Sequence, residues 1–453
     1  MRFLDALAGV LPSDVIVRDA DVVAAHARDQ AAWAPEGTAL ALVRARSAEQ
    51  VRDVVALCAE HGVPVVPRGA GTGLSGGANA VDGCVLLALG GMDRVLEIDA
   101  AEQIAVVQPG VVNDRLREAV AEHGLWYPPD PASSPWSTIG GNAATNAGGV
   151  CCVKYGVTRD YVLGLQVVTG TGRLVRVGRR TRKGVAGYDL AGLFVGSEGT
   201  LGVITEVTVR LLPLPRGTPR TVVGAFGSLV AAGEAVAAVA ASGIAPSALE
   251  LVDRYCLRAV DDWKNMGLAD LGDVLLLGRV DSGDEDEAAL LQRCFDEAGA
   301  GWSTRSTDAE EAEALFAARR LAYPALERLG PVLTEDVCVP RGLVPRMLGR
   351  IEEHARIHGV HVANIAHAGD GNLHPLIVVP AGDEAARARA QAAFEAILDD
   401  AIALGGTVTG EHGVGLLKRR GMHAEVGEDV LELHRAVKAA LDPAGILNPG
   451  KVI

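Results

Sequence analysis

The chain has 453 residues, beyond the usual size of one domain, and its 49% hydrophobic and 22% charged residues supply ample material for cores. A net charge of −15, with only short cationic blocks at Arg179-Arg180 and Lys418-Arg419-Arg420, excludes the basic stripe that a nucleic-acid-binding protein needs. Seven cysteines without a CxxC pair exclude a disulfide framework and an iron–sulfur centre of the chain's own, so a reduced cytoplasmic protein is expected.

Met1-Arg2-Phe3-Leu4-Asp5 lacks the charged-then-apolar order of a secretory signal. Residues 39–43 read as a strand. Ser47 and Gln50 occupy capping-box positions and open a helix that runs to the stop at His61-Gly62. Residues 63–67 predict a short strand leading into a glycine loop. Residues 85–89 and 103–107 predict further strands, and 113–122 a helix. Pro213, Pro215, Gly217 and Pro219 mark a boundary. Beyond it come helices over 228–241 and 383–404 and a strand at 274–277. The run from Val222 to Pro246 is apolar enough to raise a membrane span, but its Ala and Gly content and the central Glu234 predict a buried or amphipathic helix.

Many of the 55 glycines fall in short clusters. Pro67 to Gly77 follows a strand and removes side chains at five positions, so that successive amides can converge on an anion. It lacks the Gly-Lys-Ser/Thr of a P-loop and the spacing of a dinucleotide fingerprint. Two more loops rich in Gly, Thr, Ser and Asn follow, Thr138 to Gly149 and Gly196 to Thr205. Three such loops point to one long polar ligand. In the second half, His367 and His374 flank the turn Gly369-Asp370-Gly371-Asn372, and Gly410-Glu411-His412-Gly413 adds a carboxylate and a third imidazole. Two histidines and a carboxylate suit Zn²⁺ or a Mn/Fe-type divalent ion with positions left open for substrate. Asp370 and Asn372 also suit the turn itself.

Pro67 to Gly77, Ile139 to Gly149, and Gly187-Tyr188-Asp189-Leu190 through Ile204 resemble the FAD-binding domain of the vanillyl-alcohol oxidase / p-cresol methylhydroxylase superfamily. Over nearly the whole chain, including Asn448-Pro449-Gly450-Lys451, the sequence is similar to the FAD-linked D-2-hydroxyacid dehydrogenases. That group holds D-lactate dehydrogenases and the flavoprotein subunit of glycolate oxidase. The resemblance implies an α+β protein in three parts: a PCMH-type FAD-binding domain over 1–215 with its core from about 35, an α+β substrate- and metal-binding cap of the FAD-linked oxidase C-terminal type over 216–410, and a segment over 411–453 that packs back on the FAD domain.

The resemblance also implies roles. Arg68, Gly69, Gly71, Thr72, Gly73, Ser75, Gly76 and Gly77 would cradle the pyrophosphate. Thr138, Gly141, Asn142, Thr145 and Gly148 would line the flavin and ribityl chain. Glu198, Gly199, Gly202 and Ile204 would complete the adenosine pocket, with Asn448 a further cofactor contact. The first two loops lack histidine, so a non-covalent flavin is expected, and Cys151 and Cys152 are read as buried thiols. His367, His374 and Glu411 match metal ligands, His412 a base, and Asn372 a residue near the substrate. Arg319 would grip a substrate carboxylate, with Tyr323 one turn on lining the same wall. Thr334 and Glu335 stand where members acting on D-2-hydroxyglutarate tend to carry a lysine, which turns the expectation toward D-lactate or glycolate and leaves a D-2-hydroxyglutarate-type dehydrogenase as the alternative. The electron acceptor would be a quinone, a cytochrome or a carrier flavoprotein, which would keep the enzyme cytoplasmic or peripheral to a membrane. The glycolate oxidase branch admits iron–sulfur partner subunits, and a homodimer also fits. Two competing readings are a non-redox flavoenzyme of the alkyl-dihydroxyacetonephosphate synthase kind and a flavin-free metal hydrolase; the latter leaves the glycine loops idle.

Overall fold

Ser47 starts the helix Ala48–His61 by accepting a hydrogen bond from the Gln50 amide at 3.3 Å, and Gly62, at φ +65°, ends it. The Gln50 side chain accepts from the Arg46 amide, one residue outside the box that the sequence predicts. The computed structural model describes residues 2–306 and 308–453 and divides into two units. The first comprises 1–148, 157–214 and 411–453; the second comprises 149–156 and 215–410.

Two sheets build the first unit. In one, Ala41–Arg44, Val85–Ala88 and Val65–Arg68 run parallel, with Ile16–Val17 antiparallel at one edge. Both faces of this sheet are covered: Leu42, Val66 and Leu86 enter one cluster, and Val43, Val65, Val85 and Leu87 another. Burial on both faces is why these strands read as unbroken apolar runs. The other sheet is antiparallel, in the order Val95–Asp99, Ile104–Val107, Gly202–Arg210, Val162–Thr169, Leu174–Gly178. Val168 and Val203 join it to the core of the first sheet. The glycine loop leaves the carboxyl end of the parallel strand Val65–Arg68, the end at which open α/β sheets place ligands.

The chain's last segment closes the edge of that strand. The Val65 amide donates to Ile446 O at 2.8 Å, and the Asn448 amide donates to Val65 O at 2.8 Å. The Asn448 side chain then donates to Gly77 O at 2.8 Å and Glu198 O at 2.7 Å. Lys451, fully buried, donates to Asn79 O at 2.6 Å and Asn448 Oδ1 at 2.8 Å. Burial pulls its ammonium down to about 8.

The second unit carries one antiparallel sheet, in the order Trp302–Ser306, Arg220–Phe226, Val274–Val280, Ala248–Asp253, Val362–His367, Asn372–Val378, Val332–Thr334; Val337–Cys338 also pairs with Asn372–Val378. Cys256, Leu257 and Val260 of the helix Arg254–Lys264, with Ala322, Ala325 and Leu326 of Ala309–Glu327, pack on Val252, Ile365 and Leu376 of this sheet.

Two expectations change. The apolar run 222–246 is a strand, Arg220–Phe226, followed by a helix, Leu229–Ser242, capped by Ser228. It reads as one segment because a fully buried strand lacks polar alternation. Among the described residues no helix is long and apolar enough to cross a membrane. Cys151 and Cys152 are half-buried, not buried, on the short segment that begins the second unit. That segment is anchored by an ion pair from Lys154 to Asp281 and by Tyr155, which donates to Asp281 Oδ2 at 2.5 Å.

The tail contacts predict a stability effect. Asn448→Ala removes the side-chain amide that donates to the half-buried Gly77 carbonyl and the buried Glu198 carbonyl, and one acceptor from buried Lys451, and should cost about 2–4 kcal/mol. Chemical denaturation of the flavin-loaded protein measures it; a midpoint equal to the parent's would show that these bonds are replaceable.

Candidate functional site

In the first unit the strand ends on buried Arg68, whose Nη1 has no hydrogen-bond partner among the described residues. Asp29, also buried, is the nearby carboxylate; burial raises its pKa and lowers that of Arg68. Gly71 arches over this guanidinium at φ +77°, so close that a Cβ would overlap it. A Cβ at Gly69 would lie 2.7 Å from Thr138 Oγ1. Bare backbone above a buried cation with spare hydrogen-bonding capacity fits an anionic group such as a pyrophosphate. Thr72 and Gly73 lie half-buried along the loop, and Gly76 is packed on Ala34.

Thr138 caps the short helix Ile139–Thr145, accepting from the Gly141 amide at 3.3 Å. The Thr145 hydroxyl donates to Gly141 O at 3.3 Å. The Asn142 side chain is committed to Asn113 Oδ1 at 3.1 Å, and Asn113 to Pro129 O at 3.0 Å, so this pair holds the preceding proline loop. Gly148 lies against the Glu411 side chain, with Glu411 Cβ 3.0 Å from where its own Cβ would stand.

Glu198, in the third loop, has the left-handed φ of +51°. Its carboxylate accepts from the Val414 amide at 2.7 Å and the Gly415 amide at 2.9 Å. Burial pushes this carboxyl up to about 7 against those two bonds. Ser75 adds a hydroxyl bond to Gly413 O at 2.7 Å, and its own carbonyl accepts from Leu416 at 2.7 Å. Glu198 therefore serves the protein's own backbone, fastening the segment that follows Glu411 and His412 onto the first glycine loop. Gly199 packs on Pro67, Gly202 opens a strand against Val167 and Phe194, and Ile204 enters the apolar core.

In the second unit, strand register assembles the remaining candidates. Val252 faces Ile365 and Glu250 faces His367 across one strand pair; Ile365 faces His374 and His367 faces Asn372 across the next. Side chains two apart share a face, so the apolar row Val252–Ile365 continues into a polar row on the same face. The His367 and His374 ring centroids are 5.3 Å apart and nearly perpendicular. His367 Nδ1 bonds Glu250 Oε1 at 2.8 Å, and Arg319 Nε lies 3.0 Å from Glu250 Oε2. His374 Nδ1 lies 3.7 Å from Asp336 Oδ1, and Asp336 Oδ2 accepts from the Thr409 hydroxyl at 2.6 Å. Tyr323, one turn beyond Arg319, accepts from the Thr334 hydroxyl at 3.4 Å, and burial raises its phenol. Asn372 is buried, and its side chain fills the space a Cβ at Gly410 would need.

The structure thus groups His367, His374, Asn372, Arg319 and Tyr323 in the second unit, and places Glu411 and His412 with the glycine loops in the first, His412 Nε2 lying 3.8 Å from Glu411 Oε1. Sequence reasoning missed Glu250 and Asp336. Glu250 is a fully buried acid within the strand Ala248–Asp253, and Asp336 a fully buried acid beside Glu335 on the link between Val332–Thr334 and Val337–Cys338; an acid set among apolar residues is the signal that the sequence offered for each.

A glycine cradle at the end of a parallel strand stands in one chain with an antiparallel α+β unit that buries a histidine–carboxylate–arginine cluster, and the families matched by the two halves make this a flavin-binding oxidoreductase. Residues 39–178 match the FAD binding domain family, and residues 218–452 match the C-terminal domain of FAD linked oxidases. Glycolate oxidase subunit GlcD of Bacillus subtilis is 41% identical over 91% of this chain and 88% of its own. D-lactate dehydrogenase of Archaeoglobus fulgidus is 36% identical over 91% of each. The solved structure of p-cresol methylhydroxylase with substrate bound shares the fold at a TM-score of 0.83, 20% identity, and coverage of 100% of this chain and 96% of that one. The chain belongs to the FAD-linked oxidase family and is an FAD-dependent oxidoreductase.

The raised Glu198 carboxyl has a pH consequence. A folded pKa moved from 4.5 to about 7 gives a contribution that is full below pH 4.5 and lost as pH rises through 7. Glu198→Gln removes this dependence. The parent's stability relative to the variant should fall by on the order of 3 kcal/mol between pH 4.5 and 7, then level off. Denaturation midpoints of both proteins across that range test it; a constant offset would show that Glu198 does not titrate there.

Proposed function

We propose that the enzyme oxidises a small D-2-hydroxy acid, D-lactate or glycolate in type, to the 2-oxo acid, with non-covalently bound FAD as hydride acceptor. The single observation that carries this reading is Arg319: a buried guanidinium on the face that also presents His367, His374 and Asn372. A planar guanidinium grips a carboxylate in two-point fashion. The named activities of the GlcD and D-lactate dehydrogenase relatives support the substrate class.

The residues divide the work. Arg319 binds the substrate carboxylate, and Tyr323 and Asn372 shape the wall beside it. His412 takes the hydroxyl proton; an imidazole suits the task because its ordinary pKa lies near working pH. His412 sits on a segment whose backbone Ser75 and Glu198 hold, so its base is carried on a fixed support. FAD, when bound, supplies the hydride acceptor, and Arg68 with the backbone from Gly69 to Gly77 would hold its pyrophosphate. For a divalent ion of the Zn²⁺ or Mn/Fe type, the donors proposed are His367, His374 and Glu411. With Nδ1 of His367 given to Glu250, Nε2 is its ligating nitrogen, the usual arrangement behind a metal-bound imidazole. Such an ion would acidify the substrate hydroxyl.

The likeness to a glycolate oxidase subunit favours a second reading of the same chemistry, in which partner subunits carry the electrons onward. Turnover of the isolated chain with an artificial acceptor separates the two.

Anaerobic mixing with hydroxy acids tests the main reading. D-lactate or glycolate should bleach the flavin, and acid precipitation should leave that flavin in the supernatant. Faster bleaching by L-lactate than by D-lactate would overturn the assignment, and flavin retained in the pellet would show a covalent link. His412→Ala should keep FAD and ion near full occupancy yet slow flavin reduction by roughly 10²–10⁴-fold, the usual worth of a positioned base. Glu411→Gln should lose the ion. The reverse pattern would exchange the two roles.

A further inference from the structure

Glu250 is fully buried in the strand Ala248–Asp253, and the chemistry proposed above gives it no task. A carboxylate removed from water persists only where donors or cations replace its hydration. Here each oxygen has a different partner: Oε1 bonds His367 Nδ1 at 2.8 Å, and Oε2 lies 3.0 Å from Arg319 Nε. The partners come from two elements. His367 is the register partner of Glu250 on the adjoining strand, and Arg319 descends from the helix Ala309–Glu327.

We infer that Glu250 is a positioning residue that sets the His367 ring and the Arg319 guanidinium together, and so fixes the distance between the ion-binding nitrogen and the carboxylate grip. The inference rests on the functional reading of those two residues given above.

An ionised carboxylate only accepts. It therefore requires the proton of His367 on Nδ1, which leaves the lone pair on Nε2 for an ion. Its other oxygen attracts Arg319 as an ion pair, with Nε the nearest nitrogen at 3.0 Å, which holds the Nε side of the guanidinium toward Glu250 and leaves the terminal Nη1 and Nη2 pair for a substrate carboxylate. One side chain thereby selects the tautomer of one partner and the presenting edge of the other. Glutamine at this position keeps the volume but replaces an acceptor oxygen with a donor NH₂. That donor must face either the His367 Nδ1–H or the Arg319 guanidinium, and the charge that attracts Arg319 is lost in either case.

The test uses the full-length flavin-loaded protein, stripped of metal and titrated with Zn²⁺. Glu250→Gln should weaken Zn²⁺ binding by about 10- to 100-fold, the usual effect of losing a carboxylate behind a ligating histidine. KM for the 2-hydroxy acid should rise by a similar factor, while FAD occupancy stays full. Arg319→Lys provides the contrast: KM rises, and Zn²⁺ affinity stays that of the parent. A purely structural role would lower stability and flavin content without moving Zn²⁺ affinity selectively. Should Glu250→Gln lose its flavin, Glu250→Asp carries the test, because it keeps both acceptor oxygens but withdraws them by one methylene; weakened Zn²⁺ binding at full FAD occupancy is again expected. Parent-like Zn²⁺ affinity and KM in a folded variant at this position overturn the inference while the functional reading stands. A parent protein that takes up no Zn²⁺ and is reduced by no 2-hydroxy acid overturns that reading, and this inference with it.

Discussion

Buried polar groups must find partners inside the protein, and in the first unit that requirement converges on Glu198. Its carboxylate holds the amides of Val414 and Gly415, and its carbonyl accepts from Asn448, which in turn bonds Gly77 and Lys451. Four stretches distant in sequence meet there: the first glycine loop, the third, the segment after His412, and the chain's end. A buried acid and a fully buried lysine in one network are costly groups to desolvate. Their retention is explained by what they hold: the loops that form the anion cradle are too poor in side chains to pack on one another. Glycine gives the backbone access to a ligand and leaves the loop without means of anchoring itself.

The second unit meets the same requirement with a sheet. Strand register brings Glu250, His367 and Asn372 into one row across three strands, next to the apolar row that forms the core under the helices. Rigid strands place these groups more reproducibly than loops do. The turn between His367 and Asn372 is tight because Gly371 adopts φ +78° against the Val339 carbonyl, which lets the two strands pair up to their last residues.

The two units contribute different chemistry. The first supplies an anion cradle and, on its returning segment, a carboxylate and an imidazole. The second supplies imidazoles, an amide and a guanidinium held by buried acids. The hydroxy-acid oxidation proposed above would call for both sets: a site for the long cofactor, and charged groups for a small anion that has little apolar surface to recognise.

Local pattern in the sequence was enough for the glycine loops, the helix that Ser47 caps, the strands that precede and follow them, and the clustering of histidines beside turns, whereas the fold class came from the family resemblance. These rest on interactions within a few residues: a capping hydroxyl, a glycine at positive φ, or apolar periodicity. Tertiary structure alone decided what Glu198, Asn142 and Asn448 do, because their distant partners are 29 to 371 residues away. It likewise decided that the apolar run after Val222 is a strand before it is a helix, since burial on both faces erases the alternation that tells them apart. The tasks of Glu250 and Asp336 were decided there too. A buried acid acquires meaning only from the histidine or hydroxyl that pairing and packing set against it, and no local spacing encodes that contact.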